Sequence, residues 1–479
     1  MMESNSSSLL RNSIFVFLSL AIRAITSFLI GVGIARFYGP ESFGQFSIAF
    51  TVSNICLILA DFGFDVLLTT EIANNRKNAV DISRKYFSIK IALALVSSVV
   101  MISLTQIIPL SETSKQLIFS LVLYMALTTI INFFFSFFRG FEKFDFETKV
   151  SFYSNSILLI SIALFGFLKF SLFYLMIFFV FTRFIGVLLS YFYSRKIVNV
   201  NFWELDFSES NLLLKKVFIY GLNFLFGNLF FQIDTILVGT LLGDTAAGIY
   251  RSAFWVMILF LMIPDIAISA SLPSLSKAFV EDKNEWKKLG KVIFKLLLVI
   301  VIPISLLIYF YPDFIITTIY GKIKFNNAIA VLQIFAFTIF VRFIVEPFGL
   351  MITTSQRQYI RTIIVIIATF ANVGLNFYFV PKYGLMAVPL ISLVVNIFVG
   401  LGYIAGSFDS FLNWVMEFKI LFLLVITSLF ISGLVIFNHY YLVMILLTLI
   451  YFPVAFIFTF STDEKKYLLS TFSLRKILL

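Results

Sequence analysis

The chain has 479 residues, of which 60% are hydrophobic and 13% charged, where a soluble domain carries about 45–50% and about 25%. With 63 phenylalanines and a mean hydropathy of +1.02, no soluble fold could hide its apolar side chains, so this is a polytopic membrane protein. One cysteine (Cys56) excludes an internal disulfide or a cysteine-ligated cluster, and one histidine (His439) leaves little for a zinc site or a histidine-based triad.

A membrane-spanning helix needs about 20 mostly apolar residues. Fourteen stretches qualify: 13–38, 43–66, 86–108, 116–138, 149–168, 171–194, 215–241, 246–273, 289–310, 326–354, 360–380, 384–406, 416–438 and 440–460. The short gaps around Lys169, Lys382 and His439 predict tight turns between antiparallel helices. The first stretch is too long for a signal-peptide core and lacks a small-residue cleavage site, so it is expected to be retained.

Lysine and arginine resist translocation and collect on the cytoplasmic side. With the N-terminus inside, 26 of the 36 basic residues fall in inner segments and 7 outside, while Arg23, Arg183 and Arg342 lie at mid-membrane depth. Both termini are therefore expected in the cytoplasm. The inner basic residues, Lys90, Arg139, Lys295 and Arg361 among them, are spread over eight segments. They form no single patch, so the net charge of +11 does not call for a nucleic-acid partner.

The longest extramembrane segments, near 195–214 and 274–288, are too short for a folded catalytic domain, and no enzyme activity is expected. Glu204-Leu205-Asp206 on the first of them reads as a solvated acidic turn more readily than as a metal–sugar-nucleotide motif.

The sequence also repeats itself. Phe37-Tyr38-Gly39-Pro40-Glu41-Ser42-Phe43-Gly44-Gln45-Phe46 aligns with Leu241-Leu242-Gly243-Asp244-Thr245-Ala246-Ala247-Gly248-Ile249-Tyr250 at an offset of 204, placing Gly39 on Gly243, Gly44 on Gly248 and Phe46 on Tyr250. Each segment is an outer turn, between the first two helices and between the seventh and eighth. Six helices separate them, so the repeat is parallel, with two six-helix lobes related by an axis along the membrane normal. Two such lobes suit alternating access about a central cavity, which makes transport the default reading. The expected organisation is a first lobe at 1–200, a second at 201–410, and two appended helices with a cytoplasmic tail at 411–479.

Ionisable side chains at helix centres are costly and mark cavities or internal pairs. The first lobe holds Arg23 in helix 1 and Arg183 in helix 6, with no acid at comparable depth. The second holds Asp234 in helix 7, Asp265 in helix 8 beside Pro264, and Arg342 with Glu346 in helix 10. Arg342 and Glu346 are four residues apart and share a helix face, so they read first as a neutralised structural pair. Asp61 and Asp65 are read evenly as helix-end residues facing water or as members of a site. Arg36 and Arg251 can snorkel to the outer head groups. Buried amides such as Asn132, Asn372 and Asn376 are ordinary interhelical contacts.

Arg23 and Arg183 resist such readings best. Unpaired cations in a cavity are what an anionic substrate requires, and a phosphate-bearing head group would bind them through charge-assisted hydrogen bonds. Asp234 and Asp265 are candidates for coupling transport to Na⁺ or H⁺. Pro264, Pro303, Pro347 and Pro389 are expected to interrupt helices of the second lobe, which would suit a lobe that bends.

Several motifs resemble a known family. Ala35-Arg36-Phe37-Tyr38-Gly39-Pro40-Glu41-Ser42-Phe43-Gly44, Asp61-Phe62-Gly63-Phe64 and Phe138-Arg139-Gly140-Phe141-Glu142-Lys143-Phe144 are similar to elements of Wzx-type polysaccharide biosynthesis proteins. So is Gln232-Ile233-Asp234-Thr235-Ile236-Leu237-Val238-Gly239 followed by Gly248-Ile249-Tyr250-Arg251. These are lipid-linked oligosaccharide flippases of the multidrug/oligosaccharidyl-lipid/polysaccharide exporter (MOP) superfamily. The resemblance implies an all-α polytopic fold of about fourteen transmembrane helices, with two parallel six-helix lobes in a V-shaped, MATE-like arrangement plus two C-terminal helices. It implies a multi-pass protein of the cell inner membrane that moves a polyprenyl-pyrophosphate-linked oligosaccharide, an O-antigen or similar repeat unit, to the outer leaflet.

On that reading Arg23, Arg183, Arg251 and Arg342 would meet the pyrophosphate, and Asp234, Asp265, Glu346 and Asp61 would couple transport to an ion. No cofactor is expected beyond a Na⁺ or H⁺ gradient. Partners would be the lipid-linked oligosaccharide, the phospholipid bilayer and other polysaccharide-assembly membrane proteins. Many relatives have twelve helices, and fourteen also brings to mind lipid II flippases. The competing readings are a cation-coupled multidrug exporter or lipid II-type flippase of the same superfamily and, from another class, a membrane glycan polymerase.

Overall fold

The computed structural model describes residues 2–199, 202, 204–208, 210–321, 324–407, 414, 418–436 and 441–465. Among these residues the chain is helical with no strand, as a bilayer demands of backbone that must satisfy its own hydrogen bonds. Its principal helices are α1 (Met2–Asp61), α2 (Phe64–Asn74), α3 (Ala79–Ile107), α4 (Glu112–Gly140), α5 (Phe144–Phe167), α6 (Leu172–Arg195), α7 (Ser210–Leu242) and α8 (Asp244–Glu281). They continue with α9 (Lys283–Phe310), α10 (Pro312–Tyr320), α11 (Asn327–Thr354), α12 (Gln358–Tyr383), α13 (Ala387–Gly406), α14 (Phe418–Ile436) and α15 (Tyr441–Thr459).

Among the described residues, each of the fourteen apolar stretches lies mainly on helix. The first two share α1, which breaks where Gly39 takes φ 86°. Among the described residues, nine helical spans are long and apolar enough to cross a membrane. The short helices α2 and α10 were not expected. The turn placed at Lys382 comes one residue after Tyr383, at Gly384, whereas Lys169 does lie in a turn. His439 and the tail beyond residue 465 lie outside the described residues. The helices run on through Pro264, Pro303 and Pro347, and Pro389 stands in the first turn of α13. These prolines therefore interrupt no helix: in the first turn a missing N–H costs nothing, and elsewhere neighbouring helices supply support.

Contacts divide the chain into two compact units, Met1–Arg251 and Ser252–Leu479. In the first, α4 is central, touching α1, α2, α3, α5 and α6, while α7 packs on α1. A phenylalanine core built on α4 (Phe133, Phe134, Phe137, Phe138) closes over Phe202. In the second unit α11 packs on α9 and α13, and α12 packs on α13. The hairpin of α14 and α15 rests on α9.

That hairpin is fastened at two points. Tyr311 donates to the Leu434 carbonyl at 3.2 Å, and Lys295, fully buried on α9, meets Glu464 at 3.0 Å. Lys295 was counted among the inner basic residues; it lies inside the protein because Glu464 neutralises it. Lys295→Met alone should strand the Glu464 carboxylate and cost about 3–5 kcal/mol, whereas Lys295→Met with Glu464→Leu should return close to wild type. Thermal unfolding of the purified protein checks both; equal losses in the single and double variants would count against the pairing.

The internal repeat is visible in the backbone. Gly39 and Gly243 take φ 86° and 87° at the two turns that align in sequence, a left-handed conformation that glycine adopts without strain. A second correspondence lies at the opposite ends of the helices. Glu142, after α4, and Gln356, after α11, take φ 59° and 62° and stand 214 residues apart. Around them the hydrogen bonds repeat one for one. Phe141 N–H to Phe137 O, Glu142 to Arg139 and Lys143 to Phe138 recur as Ser355 to Met351, Gln356 to Thr353 and Arg357 to Ile352. Each corner is a left-handed helix stop of the Schellman type.

Candidate functional site

Four helices of the first unit bring arginines together. α4 supplies the floor, with Tyr124, Phe135 and Arg139 on it. α1 brings Arg23, α5 brings Glu147 and α6 brings Arg183. Arg139 grips Glu147 with both arms, Nε to Oε2 at 2.7 Å and Nη2 to Oε1 at 2.6 Å. Arg23 Nη2 reaches the same Oε1 at 3.2 Å, and its guanidinium lies 5.7 Å from the Phe135 ring centre. The Glu147 side chain is 3% exposed, whereas Arg23 and Arg139 are each 33% exposed. One buried carboxylate thus orients two arginines that keep an open side.

Arg183 is held differently. Its Nη2 donates to the Tyr124 hydroxyl at 2.9 Å, its guanidinium lies 5.0 Å from that ring, and its Nε is buried without a hydrogen-bond partner. Arg139 and Arg183 both act electrostatically on Arg23. Arg23 and Arg139 share Glu147, Arg183 stands on Tyr124, and Asp65 acts electrostatically on Arg139, so the three cations outnumber the carboxylates that act on them.

The expectation that Arg23 has no acid at its depth is corrected by Glu147. Hydropathy starts helix 5 at residue 149, but α5 begins at Phe144, so its polar first turn carries Asp145 and Glu147 into the protein. Arg139, counted as an inner-loop residue, is the other half of that clamp.

A second ionic cluster sits where α1 ends and α2 begins. Lys90, on α3, contacts Asp61 and Asp65 at 2.7 Å each. Asp61 also accepts from Asn132 at 2.7 Å and from Thr129 on α4. Asp61 is 13% exposed and Lys90 2% exposed, so the water-facing reading of Asp61 does not hold, and Lys90, counted among the inner basic residues, lies inside the protein. Each of these charges is placed inside the protein by its partner.

At the junction of α7 and α8, Tyr250 donates to Asp234 at 3.0 Å and Arg251 donates to Thr235 at 3.2 Å. Asp234 and Arg251 are both buried, so Arg251 does not snorkel to head groups. It points into the protein, where Thr235 receives it.

In the second unit Arg342 and Glu346 form the pair that their spacing predicts, at 2.6 Å. Arg361, from α12, joins them at 3.0 Å and also donates to the Tyr403 hydroxyl on α13 at 3.1 Å. Asp265 is exposed on α8 and interacts electrostatically with Glu346, Arg342 and Arg361. Counted forward by the 214-residue offset of the corners, Glu147 falls on Arg361. The two corners hold opposite charges at equivalent positions, and each residue bridges to a partner on the preceding long helix. Sequence reading missed Arg361 and Tyr403 because it counted the arginine only as an inner-segment cation at the edge of a predicted span.

On the segment after α6, Glu204 pairs with Arg84 at 2.7 Å. Asp206 accepts from the Ser208 backbone N–H at 2.9 Å, which holds its carboxyl below the ordinary carboxylate range. Both acids are engaged in local structure.

Residues 9–279 match the family described as polysaccharide biosynthesis protein. No curated protein matches the chain in sequence. Among solved structures it is similar to the lipid II flippase MurJ in an inward closed conformation, with a TM-score of 0.72 at 14% identity, covering 98% of this chain and 99% of that one. It is also similar to an inward-facing multidrug resistance MATE family transporter of the MOP superfamily, with a TM-score of 0.64 at 14% identity, covering 82% of this chain and 98% of that one. A MOP superfamily transporter from Pyrococcus furiosus gives 0.58 at 15% identity, with 85% and 96% covered. At such identities the structural likeness establishes the fold alone. On the family match, which spans more than half of its length, the chain belongs to the polysaccharide biosynthesis protein family, and it has the membrane-transporter fold of MurJ and the MATE proteins.

Proposed function

We propose that the protein is a flippase for polyprenyl-pyrophosphate-linked oligosaccharide, an O-antigen or other surface-polysaccharide repeat unit. It would carry this substrate from the cytoplasmic to the outer leaflet of the cell inner membrane by alternating access between its two six-helix halves. The observation that carries the reading is the arginine cluster of the first unit: Arg23 and Arg139 on Glu147, with Arg183 beside them on Tyr124. Its surplus of positive charge suits an anionic pyrophosphate diester. A glycan and pyrophosphate cannot cross about 30 Å of hydrocarbon unaided, while the prenyl chain can stay in lipid. The family membership points the same way.

Arg251 and Arg342 have weaker claims to the substrate, one being buried on Thr235 and the other paired with Glu346. Among the candidate coupling groups, Asp61 is engaged by Lys90, Asp234 by Tyr250 and Glu346 by two arginines. Asp265 is the exposed one, and we assign it the reversible uptake of H⁺ or Na⁺.

The length of the MurJ match favours lipid II as a second substrate reading, since that flippase fold covers 98% of this chain. The surplus positive charge disfavours an exporter of cationic drugs. Purified protein in liposomes, given a fluorescent undecaprenyl-pyrophosphate oligosaccharide, tests the proposal. Protein-dependent appearance of label in the far leaflet, slowed by collapse of an ion gradient and made gradient-independent by Asp265→Asn, is the expected result. Transport of cationic dyes in preference to the glycolipid would overturn it.

A further inference from the structure

The two turns that repeat in sequence touch one another. A Cβ added at Gly44 would lie 1.8 Å from the Asp244 carbonyl oxygen, and one at Gly248 would lie 1.9 Å from the Pro40 carbonyl oxygen. The 204-residue offset that aligns the segments places Pro40 on Asp244 and Gly44 on Gly248. The contact therefore maps onto itself, as an isologous contact does between two identical subunits. Only glycine permits backbones to meet at this distance. Beneath it the packing is dry: Phe43, Phe46, Ser47 and Ala247 are all buried.

One residue breaks the symmetry. Pro40 has no polar side chain, but its counterpart Asp244 has a carboxylate at the start of α8. Asp244 Oδ2 accepts from Ser111 Oγ at 2.6 Å and from Gln45 Nε2 at 3.1 Å, and Oδ1 accepts from Ser114 Oγ at 2.9 Å. An acid in a first turn is favoured by its own helix. This one instead gathers donors from α1 and from the start of α4. Ser111 is exposed and Asp244 is half-buried, while Ser114 and Gln45 are buried, so the outer side of the network meets water and its inner side the packed contact. A carboxylate that water reaches on one side, over a dry backbone contact, is the arrangement of a fastening made to be released.

We infer that Asp244 is a latch. Bound to Ser111, Ser114 and Gln45, it holds the Gly44–Gly248 crossing shut at the end that the lysine and arginine distribution assigns to the outside. Release of the carboxylate lets the two turns separate and admits water from that side.

The test reads conformation and needs no transport substrate, so its outcome is independent of whether the flippase proposal stands. Ser47→Cys places a reporter one turn below Gly44 on the same face of α1. Ser47 bonds only within its own helix, to the Phe43 carbonyl, among the bonds described. Labelling by a membrane-impermeant maleimide is followed in the full chain in oriented vesicles, with the unsubstituted chain (Cys56 buried) as the background.

Adding Asp244→Ala, or Ser111→Ala with Ser114→Ala, should raise the labelling rate at least about tenfold, the equivalent of one lost hydrogen bond to a charged group. Unchanged labelling in both backgrounds overturns the latch. A buried control, Ser305→Cys on α9, separates release from general unfolding. Equal acceleration at Ser305→Cys and Ser47→Cys would also overturn it.

Discussion

Replacing Arg23 and Arg183 together with alanine should reduce flipping of an undecaprenyl-pyrophosphate oligosaccharide at least about 100-fold, roughly tenfold for each lost hydrogen bond to a charged group. The folded protein should remain in the membrane, and the geometry says why. Without Arg23, Glu147 keeps both of its bonds to Arg139. Without Arg183, Tyr124 keeps its ring packing against Phe50 and Phe179 and loses one donor. Both substitutions thus remove positive charge from the cluster without stranding a buried acid. Flipping rates normalised to the amount of protein in the vesicle check this, and wild-type rates in the double variant would remove the arginine cluster from the mechanism. Arg139→Ala is a poorer probe, because it takes the bidentate partner from a carboxylate that is 3% exposed.

Glu346→Ala should have the opposite character, a large loss of stability. It would leave Arg342 and Arg361 facing each other without the carboxylate that both now contact. Removing one member of a buried ionic group costs about 3–5 kcal/mol, a large share of what holds an ordinary domain folded. The expected result is a strongly lowered unfolding temperature in detergent and little protein recovered from the membrane. Adding Arg342→Met should restore part of the loss, since it removes one of the two cations that Glu346 neutralised, and Arg361 retains Tyr403. A Glu346→Ala protein as stable as wild type would show that the triad does not hold α11, α12 and α13 together.

The contrast between these variants reflects what a sequence can and cannot display. Hydropathy located the long helices because the bilayer imposes one length and one polarity on all of them. It located their ends poorly. Phe144–Glu147 is helical but polar, and a hydropathy window assigns such residues to a loop. The partner of Arg23 lay there. Glu147 was passed over as a loop acid, and Arg361, at the edge of a predicted span, was counted only as an inner-segment cation, although both stand in the first turn or so of a helix that carries them inward. The α2 and α10 helices were missed for their length, 11 and 9 residues.

The repeat was legible at Gly39 and Gly243 because a left-handed turn restricts residue type. The equally regular corners after α4 and α11 were not, because Glu142 and Gln356 occupy the same conformation without glycine. Their hydrogen bonds repeat while their side chains do not. The Asp244 network was hidden for a different reason: its donors lie 130 and more residues away in sequence, on helices that only the fold brings near.

The account turns on recognition of a diphosphate by the first unit, and equilibrium binding tests it most directly. Purified protein in detergent would be titrated with polyprenyl pyrophosphate and, separately, with the uncharged polyprenol of the same chain length. Binding of the pyrophosphate at least about 100-fold tighter, weakened by added salt and lost in the Arg23→Ala, Arg183→Ala protein, is the predicted result. Equal affinity for the two lipids, or pyrophosphate binding that survives the loss of both arginines, would contradict it.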